Sequence, residues 1–380
     1  MCEQSLIKKL DASGIRTKIV QASDGVSKAF AKLIGGGCRA VFLFSEEESR
    51  ERAKRIFEGL RAYSPVCIAL GEGAFTDVFS LPDDVRVAVG YGRRAIEAAR
   101  FFATLRGCAC IAIPSTPSAD GCFARSLSDF AGYPLEYPNW VLLNGDAMRR
   151  DFAASMARTA MSALCAEELR TDALFSGNRY STDALEMAAK AVQSIRAEDE
   201  QSRISLFYAS ALFALQKEEL PPFACMGFMN YLTAKMPQNA SHAAYAVLRY
   251  AAERMTKFWE YANPRAYYVP DYAGRLRAAA EQIGCSAKEL YENVRVPTAE
   301  ESFARVEIFA QSRRRMAISA RLFAEYVQDV ARGYFAAEDR ATPLFPLELG
   351  YDLSAEMTPL LCVPVLEREF GLAHSFERAI

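Results

Sequence analysis

Short apolar runs alternate with helical patterns over about the first 145 residues, and this alternation limits the fold more than any other feature of the sequence. Strands that are apolar along their whole length are typical of a parallel sheet with helices on both faces. The alternation therefore predicts an α/β domain built on such a sheet. The expected strands are Arg16–Gln21, Arg39–Phe44, Val66–Leu70, Val85–Val89 and Cys108–Ile113, and the expected helices between them are Gly25–Leu33, Glu46–Leu60 and Arg94–Leu105.

The pattern changes after Pro138–Trp140. Every later segment of regular pattern has the spacing and the composition of a helix. We therefore predict a boundary near residue 147, with an α/β domain over residues 1–147 and an all-helical domain over residues 148–380. The expected helices are Met148–Glu168, Asp183–Ile195, Arg203–Leu215, Ser241–Glu260, Tyr272–Ile283, Ala287–Tyr291 and Ala299–Tyr334.

The balance of charges excludes several classes of partner. Forty-five basic and 47 acidic residues give a net charge of −2, which provides no attraction to nucleic acid or to an anionic membrane surface. No window approaches the ~20 apolar residues of a membrane span, and no signal peptide is visible. The ten cysteines form no C-x-x-C pair, which favours reduced, buried thiols. We therefore expect a cytoplasmic protein.

A glycine-containing loop follows the predicted strand Val85–Val89 and precedes a predicted helix. This glycine loop, Gly90–Arg94, lies at the carboxyl end of a strand, where α/β sheets bind ligands. Its glycines would let a phosphate approach the N–H groups at the start of the helix, although a tight turn that needs small residues explains them equally well. Its two arginines oppose the helix dipole unless an anion lies beside them, although side chains that extend into solvent explain them equally well.

A second polar loop, Ile113–Gly121, follows the predicted strand Cys108–Ile113. Hydroxyl groups and a carboxylate at the end of a buried strand can hold a ribose, a phosphate or a polyol. An N-capped turn explains the same residues equally well. The polar side chains of this hydroxyl loop are Ser115, Thr116, Ser118 and Asp120.

Both loops resemble motifs of one family. The segment VAVGYGRRAIEAARFFA resembles the motif V-A-I-G-G-G-S-x-x-D-x-x-K, and IPSTPSADGCFAR resembles I-P-T-T-x-S-x-D-G, of the dehydroquinate-synthase-like superfamily, which includes the iron-containing alcohol dehydrogenases. The S-x-D-G form is most similar to glycerol-1-phosphate dehydrogenases. The resemblance covers about residues 15–150. It implies a Rossmann-like nucleotide-binding domain, a helical second domain and a homo-oligomer.

The resemblance also implies that NAD or NADP binds at the two loops. The chain departs from the motif at Tyr91, which takes the place of the glycine that lies against the cofactor pyrophosphate. Ile96 and Ala99 replace the Asp and Lys of the next helix, with Glu97 and Arg100 displaced by one position. The implied cofactor-binding residues are Gly90, Tyr91, Gly92, Arg93, Ser115, Thr116 and Ser118.

This chain lacks most of the metal ligands of the family. The family binds one divalent ion through an Asp and two His, and here Ser162 takes the place of the Asp while the first His falls near Phe228. His242 matches the last ligand, and the only other histidine is His374 in the tail. One imidazole and a hydroxyl do not make a zinc or iron site, so we expect no metal.

Three functions are compatible with these motifs. The first is an NAD(P)-dependent dehydrogenase of a polyol or glycerol 1-phosphate without the metal, in which Asp120 and His242 are the candidates for general acid–base catalysis. His242 is equally well explained as a hydrogen-bonded pocket residue. The second is a non-catalytic family member that binds a small phosphorylated ligand or acts as a partner subunit. A metal-free lyase related to dehydroquinate synthase has the least support.

Overall fold

The computed structural model describes residues 2–22, 25–45, 48–70, 81–125, 135–177, 179–217, 240–261 and 299–337, with a few single residues between 219 and 288. The chain divides into two compact units. The first unit is Met1–Ser155 with Ala197–Glu218, and the second is Met156–Arg196 with Glu219–Ile380. The boundary expected near residue 147 stays a prediction.

Helices and strands alternate in the first part of the chain, and helices follow. The strands are β1 (Lys18–Gln21), β2 (Arg39–Ser45), β3 (Val66–Leu70), β4 (Val85–Tyr91), β5 (Ala109–Ile113) and β6 (Trp140–Leu143). The helices are α1 (Cys2–Ala12), α2 (Val26–Leu33), α3 (Arg50–Gly59), α4 (Arg93–Arg106), α5 (Asp120–Phe123), α6 (Phe152–Ser176), α7 (Asp183–Gln193), α8 (Glu200–Lys217), α9 (Ala240–Tyr261) and α10 (Ala299–Ala337).

The strands form one six-stranded sheet in the order β1-β6-β5-β4-β2-β3. Every neighbouring pair is parallel. The chain passes from β2 to the edge strand β3 and then returns to β4 on the other side of β2. The order of the strands therefore reverses between β2 and β4, and this switch point is where open α/β sheets bind ligands.

Helices cover both faces of the sheet because the central strands are apolar on both sides. On one face, Val41 and Ala88 pack against residues of α4 such as Phe102. On the other face, Phe42 and Tyr91 pack in a cluster that includes residues of α2 and α3. The predicted α/β class with a parallel sheet is thus confirmed.

Strand β6 was not predicted from the sequence. Its residues Trp140–Leu143 pair with Lys18–Gln21 of β1 on one side and with β5 on the other. A four-residue strand is too short to show a clear period. Its place between two longer-range partners determines its structure, and it joins β1 to the rest of the sheet.

Every regular element that the structure describes in the second unit is a helix, which agrees with the predicted helical domain. Helices α9 and α10 pack together, and the rings of Tyr245 and Tyr334 stack with centroids 4.9 Å apart. Arg313 Nε donates a hydrogen bond of 3.2 Å to the carbonyl of the buried Trp259. The predicted helices Tyr272–Ile283 and Ala287–Tyr291 lie outside the described residues, except for Arg277 and Lys288. Among the described helices, none is long and apolar enough to cross a membrane.

Candidate functional site

The glycine loop and the hydroxyl loop lie together at the carboxyl edge of the sheet. Gly92 N donates a hydrogen bond of 3.1 Å to the carbonyl of Ile113, where the hydroxyl loop begins. At its other end, a Cβ added to Gly121 would lie only 3.1 Å from the carbonyl oxygen of Arg93. The structure therefore brings the two sequence-predicted loops into contact, in the first unit.

The glycine loop forms the start of helix α4. Gly92 has a φ of +85° and is the N-cap of α4, a conformation that favours glycine. Tyr91, the last residue of β4, is 1% exposed and points into the cluster under α2 and α3. Burial, and then the negative charge of Glu48, raise the pKa of Tyr91, although a hydrogen bond from Arg52 acts in the other direction.

A carboxylate that sequence reasoning missed lies against the glycine loop. Glu48 follows β2, and its side chain is only 5% exposed. Its Oε1 accepts a hydrogen bond of 2.7 Å from Ser115 Oγ and lies 3.2 Å from a guanidinium nitrogen of Arg150. A Cβ added to Gly92 would overlap the same carboxylate. Glu48 thus fills the space at the N-terminus of α4.

The sequence contains one signal that points to Glu48. Helix α3 begins at Arg50, with Ser49 as its N-cap, and Ser49 Oγ accepts a hydrogen bond from Arg52 N. The predicted helix Glu46–Leu60 therefore begins too early, since Glu48 precedes the cap. A serine before a charged helical turn is a recognised start signal and would have placed Glu48 in the loop after β2.

The hydroxyl loop is held by the protein on several sides. Ala119 N donates a hydrogen bond of 3.0 Å to Ser210 Oγ of α8, and Asp120 N donates one of 3.4 Å to Ser118 Oγ. Ser115 is buried, whereas Thr116, Ser118 and Asp120 are half-buried. Asp120 is the first residue of the short helix α5.

Two charged residues of α4 contact the two loops. Glu97 is buried and forms an ion pair of 3.4 Å with Arg93. Arg100 is 0% exposed and donates hydrogen bonds to the carbonyl oxygens of Gly121, Ala124 and Glu136. Burial lowers the pKa of Arg100. Arg100 therefore holds the end of the hydroxyl loop in place.

A cavity of about 200 Å³ opens beside Tyr91 at the same edge of the sheet. The guanidinium groups of Arg52 and Arg55, the amide of Asn144 and the carboxylate of Asp146 contribute to its lining. Arg52 also donates a hydrogen bond of 2.8 Å to the carbonyl of Ala147. All of these residues belong to the first unit.

The proposed metal-ligand positions lie in the second unit. Ser162 is 0% exposed, and its hydroxyl has no hydrogen-bond partner among the described residues. In the described part of the chain, no three His, Cys, Asp or Glu side chains form a group that could hold a metal ion. The side chain of His242 and the whole of Phe228 lie outside the described residues. The expected absence of a metal, and a joint role of Asp120 with His242, stay predictions.

Comparisons with known proteins identify the fold. No family model matches the sequence, and no curated protein matches it. The structure is similar to maleylacetate reductase from Rhizobium sp. strain MTP-10005, with a TM-score of 0.56 and 13% identity over 96% of each chain. It is also similar to maleylacetate reductase from Agrobacterium tumefaciens, with a TM-score of 0.55 and 15% identity over 96% of each chain.

A third similar structure is named as an alcohol dehydrogenase, from Ralstonia eutropha JMP134. The TM-score is 0.55 and the identity 15%, over 96% of this chain and 95% of that one. At identities this low, the structural similarity shows a shared fold and nothing more. The fold implied by the resemblance to the iron-containing alcohol dehydrogenase superfamily is therefore confirmed, and the chain has the fold of known oxidoreductases.

Proposed function

We propose that this protein, although it has the fold of known oxidoreductases, is non-catalytic and binds a small phosphorylated ligand. The observation that carries the proposal is the position of Glu48 against Gly92. Glycines at a helix N-terminus form a site for a phosphate because the N–H groups and the helix dipole attract an anion. A buried carboxylate in that space repels a dinucleotide pyrophosphate and leaves no room for it. With Glu48 in place, the residues here do not fit NAD or NADP.

The cavity beside Tyr91 supports a smaller ligand. Its volume of about 200 Å³ is below the roughly 300–1,000 Å³ of most small-molecule pockets. Arg52 and Arg55 are among its lining residues, and guanidinium groups bind phosphate through paired, charge-assisted hydrogen bonds. The Arg55 guanidinium also forms an exposed ion pair with Glu51. The carboxylate in the lining, Asp146, is bonded to Arg149 at 2.8 Å. A short phosphorylated molecule matches both the size and the charge.

The second candidate is the NAD(P)-dependent dehydrogenase of a polyol or glycerol 1-phosphate, without the metal. The contact between Gly121 and Arg93 favours it, because that contact brings the end of the hydroxyl loop, which carries Ser115, Thr116 and Ser118, to the start of α4. This function requires the Glu48 side chain to leave Gly92. The cavity and Glu48 therefore favour the first candidate.

We further propose a cytoplasmic homo-oligomer with no nucleic-acid or membrane partner. The described cysteines support a reducing compartment, since all of them are free thiols. The oligomer rests on the family resemblance alone. Size-exclusion chromatography with light scattering would test it, and a monomeric mass would contradict it.

A thermal-shift experiment tests the proposed function. Wild-type protein is heated with inorganic phosphate, glycerol phosphate, NADH or NADPH at millimolar concentration. At ten times its Kd, a ligand of the folded state adds about 1.4 kcal/mol of stability, which raises Tm by roughly 3–6 °C. We expect that rise with glycerol phosphate and no rise with either dinucleotide.

Two matched variants locate the binding. Arg52→Met removes a guanidinium from the cavity and is expected to abolish the rise with glycerol phosphate. Arg50→Met, on the same helix but exposed and outside the lining, is expected to keep it. A rise with NADPH, together with oxidation of a polyol, would support the dehydrogenase and contradict the proposal.

A further inference from the structure

The carboxylate of Glu48 lies at the switch point of the sheet. Glu48 follows β2 and Gly92 follows β4, and the strand order reverses between these two strands. At such a point the helices that follow the two strands cover opposite faces, so a crevice forms at the carboxyl edge. Ligands of α/β proteins bind in this crevice. Here the crevice beside Gly92 is filled by a side chain of the same molecule.

Donors from separate parts of the first unit surround the Glu48 carboxylate. The Ser115 hydroxyl comes from the segment after β5, and the Arg150 guanidinium from the segment after β6. The third neighbour is Gly92, the N-cap of a 14-residue helix. A hydroxyl, a guanidinium and a helix N-terminus are the groups that proteins use to bind phosphate oxygens. Here the hydroxyl and the guanidinium bind an oxygen anion of the chain itself, and this anion lies beside the residue at which α4 begins, whose own N–H donates to the carbonyl of Ile113.

We propose that Glu48 is an internal substitute for a nucleotide phosphate and that it determines ligand specificity by excluding dinucleotides. The inference rests on the proposed function, because both require that the wild-type protein does not bind NAD(P)H. It adds that the phosphate position is intact and is closed by one side chain. Removal of that side chain leaves Ser115, Arg150 and Gly92 arranged around an open anion site.

A purely structural role makes a different prediction. A buried carboxylate beside a guanidinium and a helix N-terminus also stabilises the fold. If that were its only role, its removal would lower Tm and would create no affinity for anions. Binding of a phosphate probe therefore separates the two roles.

The test compares the wild type and the variants in their binding of inorganic pyrophosphate, ADP and NADPH by isothermal titration calorimetry. Glu48→Ala removes both the charge and the volume of the side chain. We expect this variant to bind pyrophosphate at least about tenfold more tightly than the wild type does. Glu48→Gln keeps the volume and still accepts from Ser115, so it should fold as the wild type does and gain less. Glu58→Ala, which removes an exposed carboxylate of the following helix α3, should gain nothing.

A double variant identifies the site that opens. Glu48→Ala combined with Arg150→Met is expected to lose the affinity gained by Glu48→Ala, because the guanidinium is then absent. If Glu48→Ala does not fold, Glu48→Gln is compared with the wild type in the same titrations. The inference requires that Glu48→Gln binds pyrophosphate at least threefold more tightly.

The outcomes separate failure of this inference from failure of the proposed function. If neither the wild type nor the Glu48 variants bind pyrophosphate, ADP or NADPH, the inference is wrong while the proposed non-catalytic function stands. If the wild type binds NADPH as tightly as the Glu48 variants do, Glu48 does not close the site, and both proposals are wrong. If only the Glu48 variants bind, both are supported.

Discussion

Replacement of Arg100 by methionine is expected to lower the free energy of unfolding by about 3–5 kcal/mol. The guanidinium is fully buried and donates hydrogen bonds of 2.8, 2.6 and 2.9 Å to the carbonyl oxygens of Gly121, Ala124 and Glu136. Methionine fills most of the volume but donates nothing, so three carbonyl groups lose a charged donor. Each such loss costs about 1.5–3 kcal/mol, and the guanidinium no longer has to be desolvated, which offsets part of the sum.

The matched control is Arg106→Met at the end of the same helix. Arg106 forms an ion pair with Asp83, whose side chain is 89% exposed, and exposed pairs contribute about 0–1 kcal/mol. Urea unfolding followed by circular dichroism compares the two variants. An equal, small loss in both would show that the carbonyl groups find other donors and that Arg100 does not hold the hydroxyl loop.

The sheet was largely predictable because its central strands carry their own signal. Continuous apolar runs such as Val85–Val89 and Arg39–Phe44 match strands that are covered on both faces. Four-residue β6 lacks that signal, because its structure depends on pairing with β1 at one side and β5 at the other. Local pattern predicts the longer, buried strands, whereas both four-residue strands depend on pairing with distant neighbours, and of these two only β1 was predicted.

The two loops were predictable for a similar reason, and Glu48 was not. The loops follow strands whose order is visible in the sequence, so their place at one edge follows from a parallel sheet. Glu48 gains its role from Ser115 and Arg150, which lie 67 and 102 positions away. From the sequence alone, a charged residue beside a charged helix is expected to be exposed to solvent, because the donors that surround it come from distant parts of the chain. The sequence therefore predicted the edge of the sheet at which the two loops meet, but not the carboxylate that lies against them.

The motif departures in α4 have a related explanation. Glu97 and Arg100 lie one position from the Asp and Lys that the family resemblance implies. In the structure both are buried, and Arg100 supports the segment from Gly121 to Glu136. Arg100 thus acts on the backbone of the second loop. A charged residue inside an apolar helix was visible in the sequence, but its three acceptors were not.

Replacement of Gly90 by alanine is expected to cost about 3 kcal/mol or more. Gly90 lies in β4, where the strand crosses close to α4, and an added Cβ would lie 2.5 Å from the carbonyl oxygen of Ala95 and 2.6 Å from the Cα of Ile96. Both are backbone atoms of a helix, which cannot move aside as a side chain can. The methyl group therefore forces α4 away from the sheet, and the protein interior is packed too densely to absorb that shift.

Gly36→Ala provides the control, since a Cβ at this exposed glycine would meet nothing within 4 Å. Its expected effect on the free energy of unfolding lies within about 0.5 kcal/mol, because it removes no contact. A shift of α4 also moves its N-terminus away from Glu48, so Gly90→Ala should disturb the phosphate position along with stability. Equal midpoints for the two variants would mean that β4 and α4 are not in close contact. In that case a glycine at position 90 would be needed for a tight turn, as the sequence alone allows. It would not be needed for the close packing against α4 that positions the loop.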